Sequence, residues 1–251
     1  TVTAQHTLII QNQDTSLQPD VLPFLQPLQQ NIYHEYTWQQ NAFAPVVYSA
    51  FYPVSSRAEA QALQQSANDG QPLPWNDPVS TALQMSKDIL RWSPDPQAQL
   101  IAHTGDTATA QLTEQSPHVV LLVTLKQLIQ PGANGLWFVT DARTKGLTVT
   151  RADALDQPLP SLQSSPLRFG GTNALVDGQT TATLFDHTMT PVKQATSVPV
   201  TVHADSSYFG SLSYTNLLSG QQGILLISSM PKTENLNKES GQMLLTGVIL
   251  N

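Results

Sequence analysis

The feature that most constrains the fold is a change of pattern at Pro96, after which the chain consists of short apolar segments separated by turn residues. Alternating apolar and polar side chains are typical of β-strands, and Gly, Asn, Asp and Pro mark the turns between them. Residues 118–126 are too apolar for a half-exposed strand, so we expect them in the interior of a sheet. The Gly-Asp pair at 105–106 lies between two alternating segments and predicts a hairpin turn.

The residues before this change contain the two clearest helix patterns. Asp77 is a good N-cap, a proline follows at the first helical position, and an apolar stripe then predicts a helix over 78–91. A further helix is predicted to begin at Ser55 or Ser56 and to end at Gly70. Helices first and strands afterwards indicate an α+β domain.

The C-terminal part contains strand patterns alone. A proline-rich stretch without periodicity precedes it, and about seven short strands follow, which is typical of a β-sandwich. The sequence therefore predicts an α+β domain over residues 1–152, a linker over 153–165 and an all-β sandwich over 166–251.

The composition limits the classes of function. Charged residues make up 12% of the chain, about half of the roughly 25% usual for a soluble domain, and the net charge is -7. So few Lys and Arg residues cannot form a phosphate-tracking patch, which excludes a basic nucleic-acid-binding protein. The lack of cysteine excludes a disulfide scaffold and thiol catalysis, and no apolar run has the length of a transmembrane span. A neutral polar surface favours an extracellular or envelope-attached protein, whose signal peptide or lipid anchor we expect upstream of Thr1.

An ordered set of short motifs occurs in the C-terminal part. They are Ser-Ser-Pro-Leu at 164–167, Phe-Gly-Gly-Thr at 169–172, a strand ending in Asp186, Tyr-Phe-Gly-Ser-Leu at 208–212, and Gly-Gln-Gln-Gly at 220–223 before apolar strands. Their order over about residues 160–251 resembles the immunoglobulin-like domain associated with bacterial spore germination and sporulation, often called Gmad2. The resemblance implies an immunoglobulin-like β-sandwich of the kind found in bacterial secreted proteins and lipoproteins.

Three further stretches lie in the N-terminal part. They are Phe-Tyr-Pro at 51–53, Asp-Pro-Val-Ser-Thr-Ala-Leu at 77–83 and Gly-Leu-Trp-Phe-Val-Thr at 135–140. These stretches resemble uncharacterised secreted actinobacterial proteins that carry such a domain. Because those families are considered non-catalytic, the resemblance implies a secreted or envelope-attached bacterial protein of two domains and implies no activity.

The residue patterns give no support for a catalytic centre or a cofactor. The six histidines have no mutual spacing that forms a local metal site, although a site assembled from distant histidines stays open. The Gly-x-Ser-x-Gly elbow of serine hydrolases is absent, as are the P-loop and the G-x-G-x-x-G fingerprint of nucleotide-binding proteins. We therefore expect no enzymatic activity, no cofactor and no resident metal.

Aromatic side chains provide the candidate binding surface. Several surround Glu35, and because aromatic faces stack on sugars, a carbohydrate-binding surface is one interpretation of this segment; core packing is the other. Two aromatic pairs, at 137–138 and 208–209, lie in strand patterns where neighbouring side chains point to opposite sides. We expect one member of each pair to be exposed unless another element covers it, and one pair to join the two domains. The candidate residues are Tyr33, Tyr36, Trp38, Trp137, Tyr208 and Phe209.

These observations favour a non-enzymatic extracytoplasmic bacterial protein. We expect it to act in cell-envelope or surface assembly through contacts with a protein partner or with itself. A carbohydrate-binding module or hydrolase acting on cell-wall glycan is the alternative, and an acid pair in a cleft near Glu35 would favour it. A repeated subunit of a surface fibre or of a larger envelope complex is a further alternative.

Overall fold

The computed structural model describes residues 1–3, 6–15, 30–92, 96–116, 118–151, 162–163, 165–215, 220–232 and 240–250. The described part of the protein is mostly β, with 46% of these residues in strands and 14% in helices. Within the described ranges the strands form a three-stranded sheet, a four-stranded sheet and one large sheet. None of the helices described is both long enough and apolar enough to cross a membrane.

The elements follow one another in this order. The helices are α1 (Arg57–Asn68) and α2 (Pro78–Met85), which continues into a π-helical turn at Ser86–Leu90, and a short 3-10 turn lies at Lys193–Ala195. The strands are β1 (Leu8–Gln13), β2 (Asn31–Gln39), β3 (Ala42–Pro45), β4 (Gln97–Thr104), β5 (Thr107–Gln115), β6 (His118–Lys126), β7 (Phe138–Arg143), β8 (Thr150–Arg151), β9 (Leu162–Gln163), β10 (Leu167–Gly171), β11 (Gln179–Phe185), β12 (Val198–Pro199), β13 (Thr201–Val202), β14 (Tyr208–Leu212), β15 (Gln222–Met230) and β16 (Gln242–Leu250).

Both predicted helices are confirmed, and their first turns are capped as the sequence indicates. The Ser56 side chain accepts a hydrogen bond from the backbone N–H of Glu59 at the start of α1, and the Asp77 side chain accepts one from Ser80 at the start of α2. The second helix differs from the prediction in its last turn. That turn is π-helical and ends at Arg91, which has a left-handed backbone (φ 57°).

Among the described residues the large sheet contains nine strands. Eight follow the order β12-β11-β15-β16-β7-β6-β5-β4, each antiparallel to its neighbours, and the ninth, β9, pairs in parallel with the end of β16. The predicted hairpin between β4 and β5 is confirmed, with Gly105 at positive φ in its turn. The placement of 118–126 in the interior is also confirmed, because β6 pairs with β5 on one side and β7 on the other.

The large sheet joins strands from both predicted domains. β7 of the first predicted domain pairs with β16 of the second, with Leu245 opposite Ala142. Of the predicted linker, only 162–163 and 165 lie within the described residues. The domain boundaries stay a prediction, and the structure adds that one hydrogen-bonded sheet runs through both segments.

Two buried clusters cover the two sides of this sheet. On one side α2 and its π-helical turn pack on β5, β6 and β7, with Met85 and Ile89 among the buried residues. On the other side the four-stranded sheet, in the order β13-β14-β10-β8, packs on β11, β15 and β16. A third cluster fixes α1 against the start of β7 through Ala60 and Phe138. The three-stranded sheet β1-β2-β3 lies beside the start of α1.

Candidate binding surface

The three-stranded sheet contains the aromatic residues that the sequence singled out. β2 is its central strand and pairs with β1 on one side and with β3 on the other. The β2–β3 hairpin closes through Gln40 and Asn41, whose φ values of 49° and 62° are both positive. Two consecutive positive φ values characterise a tight turn whose twist matches that of the strands. This turn places Trp38 directly opposite Phe43.

One side of this sheet presents a row of large apolar side chains. Alternate residues of a strand point to the same side, so His34, Tyr36 and Trp38 lie together. Cross-strand partners share a side as well, which adds Ile10 opposite His34 and Phe43 opposite Trp38. The rings of Trp38 and Phe43 meet edge to face with 4.9 Å between centroids. We call these five residues the aromatic face.

The aromatic face is exposed to an unusual extent. Trp38 is 59% exposed, Phe43 57% and Ile10 42%. A single exposed apolar residue is ordinary, but a contiguous group marks an interaction site. Burying such surface is favourable by roughly 25 cal/mol per Å² of apolar area. The exposed rings therefore provide a driving force for association that the chain does not satisfy within its described residues.

An ion pair connects the other side of β2 to the rest of the protein. The Arg57 guanidinium donates from Nε to both carboxylate oxygens of Glu35, each at 3.0 Å. The Thr7 hydroxyl donates to Oε1 of the same carboxylate at 2.5 Å. Glu35 is buried, so these contacts compensate the loss of water around its charge. The acid that the sequence singled out therefore anchors β2 to the start of α1.

A second buried contact holds the same sheet from β1. Oδ2 of Asp14, just beyond the end of β1, lies 2.8 Å from Nε2 of His187, in the turn that follows β11. The backbone N–H of His187 donates to the Gln221 side chain at 3.3 Å. The side chains of Asp14 and His187 are only 3% and 4% exposed, so the sheet is attached to the large sheet through the interior.

Between these two contacts lies the start of α1, where Ser56 and Glu59 form a capping box. The Ser56 hydroxyl donates to Oε2 of Glu59 at 2.6 Å and accepts from the Glu59 backbone N–H. Burial raises the pKa of the Glu59 carboxyl to about 7, while the Ser56 hydrogen bond and the nearby His187 oppose this shift. Glu59 therefore carries a fractional charge near neutral pH.

A cleft of about 240 Å³ opens beside the aromatic face, between β2, the start of α1 and the start of β15. Its lining includes Tyr33, His34, Tyr48, Arg57 and Gln222. The Tyr48 hydroxyl is buried and has no hydrogen-bond partner among the described residues. Burial raises the pKa of Tyr48 and lowers the pKa of His34, so neither carries a charge at neutral pH. The cleft therefore combines an apolar lining and neutral polar groups with the internally compensated Glu35–Arg57 ion pair.

The structure separates the six predicted surface residues. Tyr36 and Trp38 lie on the aromatic face, whereas Tyr33 lies on the opposite side of β2. Trp137 and Tyr208 are 3% and 2% exposed, which corrects their assignment to a binding surface.

Trp137 is buried because both sides of its segment are covered. Trp137 packs into the cluster under α2, and its neighbour Phe138 packs into the cluster beside α1. Neither member of this pair is exposed, because other elements cover both. The ring of His103 also packs edge-on against Trp137, with 5.3 Å between ring centroids.

In the other aromatic pair, at 208–209, the two side chains do point to opposite sides of their strand. Tyr208 packs beside Phe169 in the core between the sheets, and its hydroxyl donates to the Thr148 carbonyl at 2.5 Å. That bond connects residues on the two sides of the predicted domain boundary. Phe209 is 46% exposed, but it lies on β14 in the four-stranded sheet and not on the aromatic face.

Ile10 and Phe43 were missed as members of the surface. A signal for Phe43 was present, because Gln40-Asn41 lies between two aromatic segments and Asn is favoured at positive φ in hairpin turns. Assigning that hairpin would have paired Trp38 with Phe43. Ile10 has no such local signal, since its position depends on the register between β1 and β2, which are far apart in sequence.

No group of three potential metal ligands lies close together among the residues that the structure describes. No family model, curated protein or solved structure matches the chain. The resemblance to the Gmad2 domain stays a prediction, and the geometry of the aromatic face carries the inference about function.

Proposed function

We propose that this chain is a non-enzymatic extracytoplasmic bacterial protein that acts in envelope or surface assembly through protein–protein contact. The contact surface in this proposal is the aromatic face of the three-stranded sheet. Of the eight large apolar side chains that are exposed among the described residues, three, Ile10, Trp38 and Phe43, lie on this one side of the sheet. That clustering is the observation that carries the proposal.

The chemistry of the partner follows from the composition of the face. It contains aromatic and aliphatic side chains and one uncharged imidazole, and protein-binding surfaces are enriched in aromatic residues and depleted in charge at their centre. Trp and Tyr are also the residues that most often dominate binding energy at interfaces. We therefore expect a protein partner with a complementary apolar patch.

The hydrogen bonds and ion pairs that the buried acidic side chains form within the protein support a non-enzymatic role. Both oxygens of Glu35 accept hydrogen bonds from Arg57, and Thr7 also donates to one of them. Glu59 completes a helix cap, and Asp14 pairs with His187. Each of these groups has a structural partner that explains its position, so a catalytic role is not needed to account for it.

Cell-wall glycan is the second candidate ligand, and the cleft beside the aromatic face favours it. Sugars are bound by planar polar groups together with aromatic walls, and this cleft combines the Glu35–Arg57 pair with Tyr33 and Tyr48. We rank it second because the most exposed rings, Trp38 and Phe43, meet edge to face and do not form one flat platform.

We also propose that the strands from β10 to β16 form an immunoglobulin-like sandwich, as the resemblance implies. The support is the shared core between the four-stranded sheet and strands β11, β15 and β16, with Phe169, Leu184 and Leu225 among its buried members. Two sheets packed over a common apolar core are the defining feature of a β-sandwich.

The proposal is tested by affinity capture after mild crosslinking in the cells that produce the protein, followed by mass spectrometry. The wild type is compared with a Trp38→Ser/Phe43→Ser double variant. A Leu100→Ser/Ile101→Ser variant is the matched control, because that pair is similarly exposed (45% and 51%) on the edge strand β4.

A stoichiometric protein that the wild type and the control capture, but the aromatic-face variant loses, supports the proposal. Recovery of glycan alone would favour the second candidate. Recovery of the chain alone, with loss of self-association in the β4 variant, would favour a repeated subunit that pairs through its edge strand.

A further inference from the structure

A second cleft, separate from the aromatic face, lies where the end of α2 meets the turn after β11. It has a volume of about 360 Å³, and its apolar wall includes Val54, Leu63, Trp75 and Met189. Small-molecule sites are typically clefts of about this volume, with mainly apolar walls and a few polar groups at defined positions. The charged groups of this cleft decide which kind of molecule would fit.

The aspartate in this cleft is already satisfied by the protein. The Tyr52 hydroxyl donates to Oδ2 of Asp88 at 2.7 Å, and Gln84 donates to Oδ1 at 2.9 Å. The indole N–H of Trp75 donates to the Tyr52 hydroxyl at 3.4 Å, which extends the chain of hydrogen bonds. Asp88 therefore orders the wall of the cleft and has a partner on each oxygen.

Glu59 also borders the cleft, at its base. Its carboxyl is hydrogen-bonded by Ser56, and its raised pKa leaves it only partly charged near neutral pH. Its position is explained by the cap of α1.

Arg91 differs from these groups because it has no partner among the described residues. It lines the cleft and is exposed, and none of the described residues forms an ion pair or a hydrogen bond with its guanidinium. It occupies the left-handed position after the π-helical turn, where residues other than glycine are disfavoured. π-Helical turns occur frequently at functional sites.

Thr190 forms part of the opposite rim. The cleft thus combines an apolar wall, the hydrogen-bonded Asp88 carboxylate and the guanidinium of Arg91, which has no ion-pair partner among the described residues.

We propose that the second cleft binds a small molecule with an apolar body and a carboxylate, with Arg91 as the counter-charge and Trp75 in the wall that receives the apolar part. A planar carboxylate matches the guanidinium fork, which can donate two parallel hydrogen bonds to it. The volume suits a single aromatic ring with a short acidic chain. The same chemistry is present in a free acid and in the last residue of a peptide.

The test is a titration of the full chain by NMR and calorimetry with 3-phenylpropionate, its neutral amide, and a tetrapeptide ending in phenylalanine with a free carboxylate. The variant is Arg91→Gln, and the matched control is Lys87→Gln, an exposed cation in the same π-helical turn that does not line the cleft. Thermal unfolding of each variant checks that the fold is retained, which we expect because both side chains are exposed.

We expect saturable binding of the acid with a shift of the Trp75 indole signal, and at least a tenfold loss of affinity in Arg91→Gln. The amide binds weakly, and its affinity stays within about twofold in both variants. Tighter binding of the tetrapeptide than of the free acid would identify a chain terminus as the occupant, and the reverse would identify a small acid. Absence of saturation with both carboxylates up to about 10 mM would overturn the proposal, as would equal losses in the two variants.

Discussion

Asp14 and His187 lie 173 residues apart in sequence and 2.8 Å apart in the structure, in a contact that is almost completely buried. Asp14 follows β1, and His187 lies in the turn after β11. The contact therefore fixes the three-stranded sheet, which carries the aromatic face, to the large sheet. Removing one member of a buried pair leaves the other without compensation in the interior.

We predict that Asp14→Asn and His187→Gln each lower the free energy of unfolding by about 3 kcal/mol. The double variant is expected to lose less than the sum of the two, because the second substitution no longer breaks an intact pair. Urea denaturation of the four proteins measures this coupling. If the losses of unfolding free energy of the two single variants simply add in the double variant, the two side chains do not stabilise the fold as a pair.

A second prediction concerns Glu59 and pH. Its folded-state pKa of about 7 lies above the ordinary value of 4.5, so the folded chain retains a proton that the unfolded chain releases. The free energy of unfolding therefore falls as the pH rises from about 4.5 through 7, by about 3 kcal/mol in total from this group. Below that interval the carboxyl is neutral in both the folded and the unfolded state, so it does not lower the free energy of unfolding.

Glu59→Gln imitates the protonated form and retains the capping box. We expect the free energy of unfolding of this variant, measured relative to that of the wild type, to increase as the pH rises from about 5 to about 8. Asp177→Asn, at an exposed position, is the control and should show no such trend. Parallel pH profiles for wild type and Glu59→Gln would contradict the assignment.

The third prediction uses two glycines with positive φ. A Cβ on Gly220 (φ 84°) would lie 2.5 Å from Nδ1 of His34, whereas a Cβ on Gly105 (φ 59°) would meet nothing within 4 Å. Gly105→Ala should therefore cost about 1 kcal/mol from backbone strain alone. Gly220→Ala should cost distinctly more and should also shift the His34 ring signals in an NMR spectrum. Equal costs, with His34 undisturbed, would show that the ring moves away freely.

The sequence predicted best what depends on neighbouring residues. The two N-caps, the β4–β5 turn at Gly105 and the interior position of β6 follow from local patterns, and all are confirmed. Which aromatic residues are exposed depends on what covers each strand. Trp137 was assigned to a surface because strand alternation cannot reveal that helices and loops cover both sides of its segment.

The candidate surface was predicted in part for the same reason. Tyr36 and Trp38 share a side of β2 by simple alternation, which the sequence contains. Ile10 joins them only through the pairing of β1 with β2. Glu35 forms an ion pair only because α1 places Arg57 next to it. Such contacts between distant segments leave no local pattern.

A fourth prediction separates the role of the aromatic face in binding from a role in folding. Because Trp38 and Phe43 are more than half exposed, we expect the Trp38→Ser/Phe43→Ser variant to unfold within about 1 kcal/mol of the wild type. Urea denaturation measures this difference. A loss of several kcal/mol would show that the pair is needed for the hairpin itself, and the capture experiment would then require the single variants.

Site-specific photo-crosslinking tests the central claim most directly. A photoreactive amino acid replaces Phe43 on the aromatic face in one variant and Val176, which is 44% exposed and lies outside the three-stranded sheet, in another. Each variant is irradiated in the cells that produce the protein. The account predicts one discrete protein adduct from position 43 and none from position 176. Equal adducts from both positions, or none from position 43, would contradict the assignment of the aromatic face as the protein-binding surface.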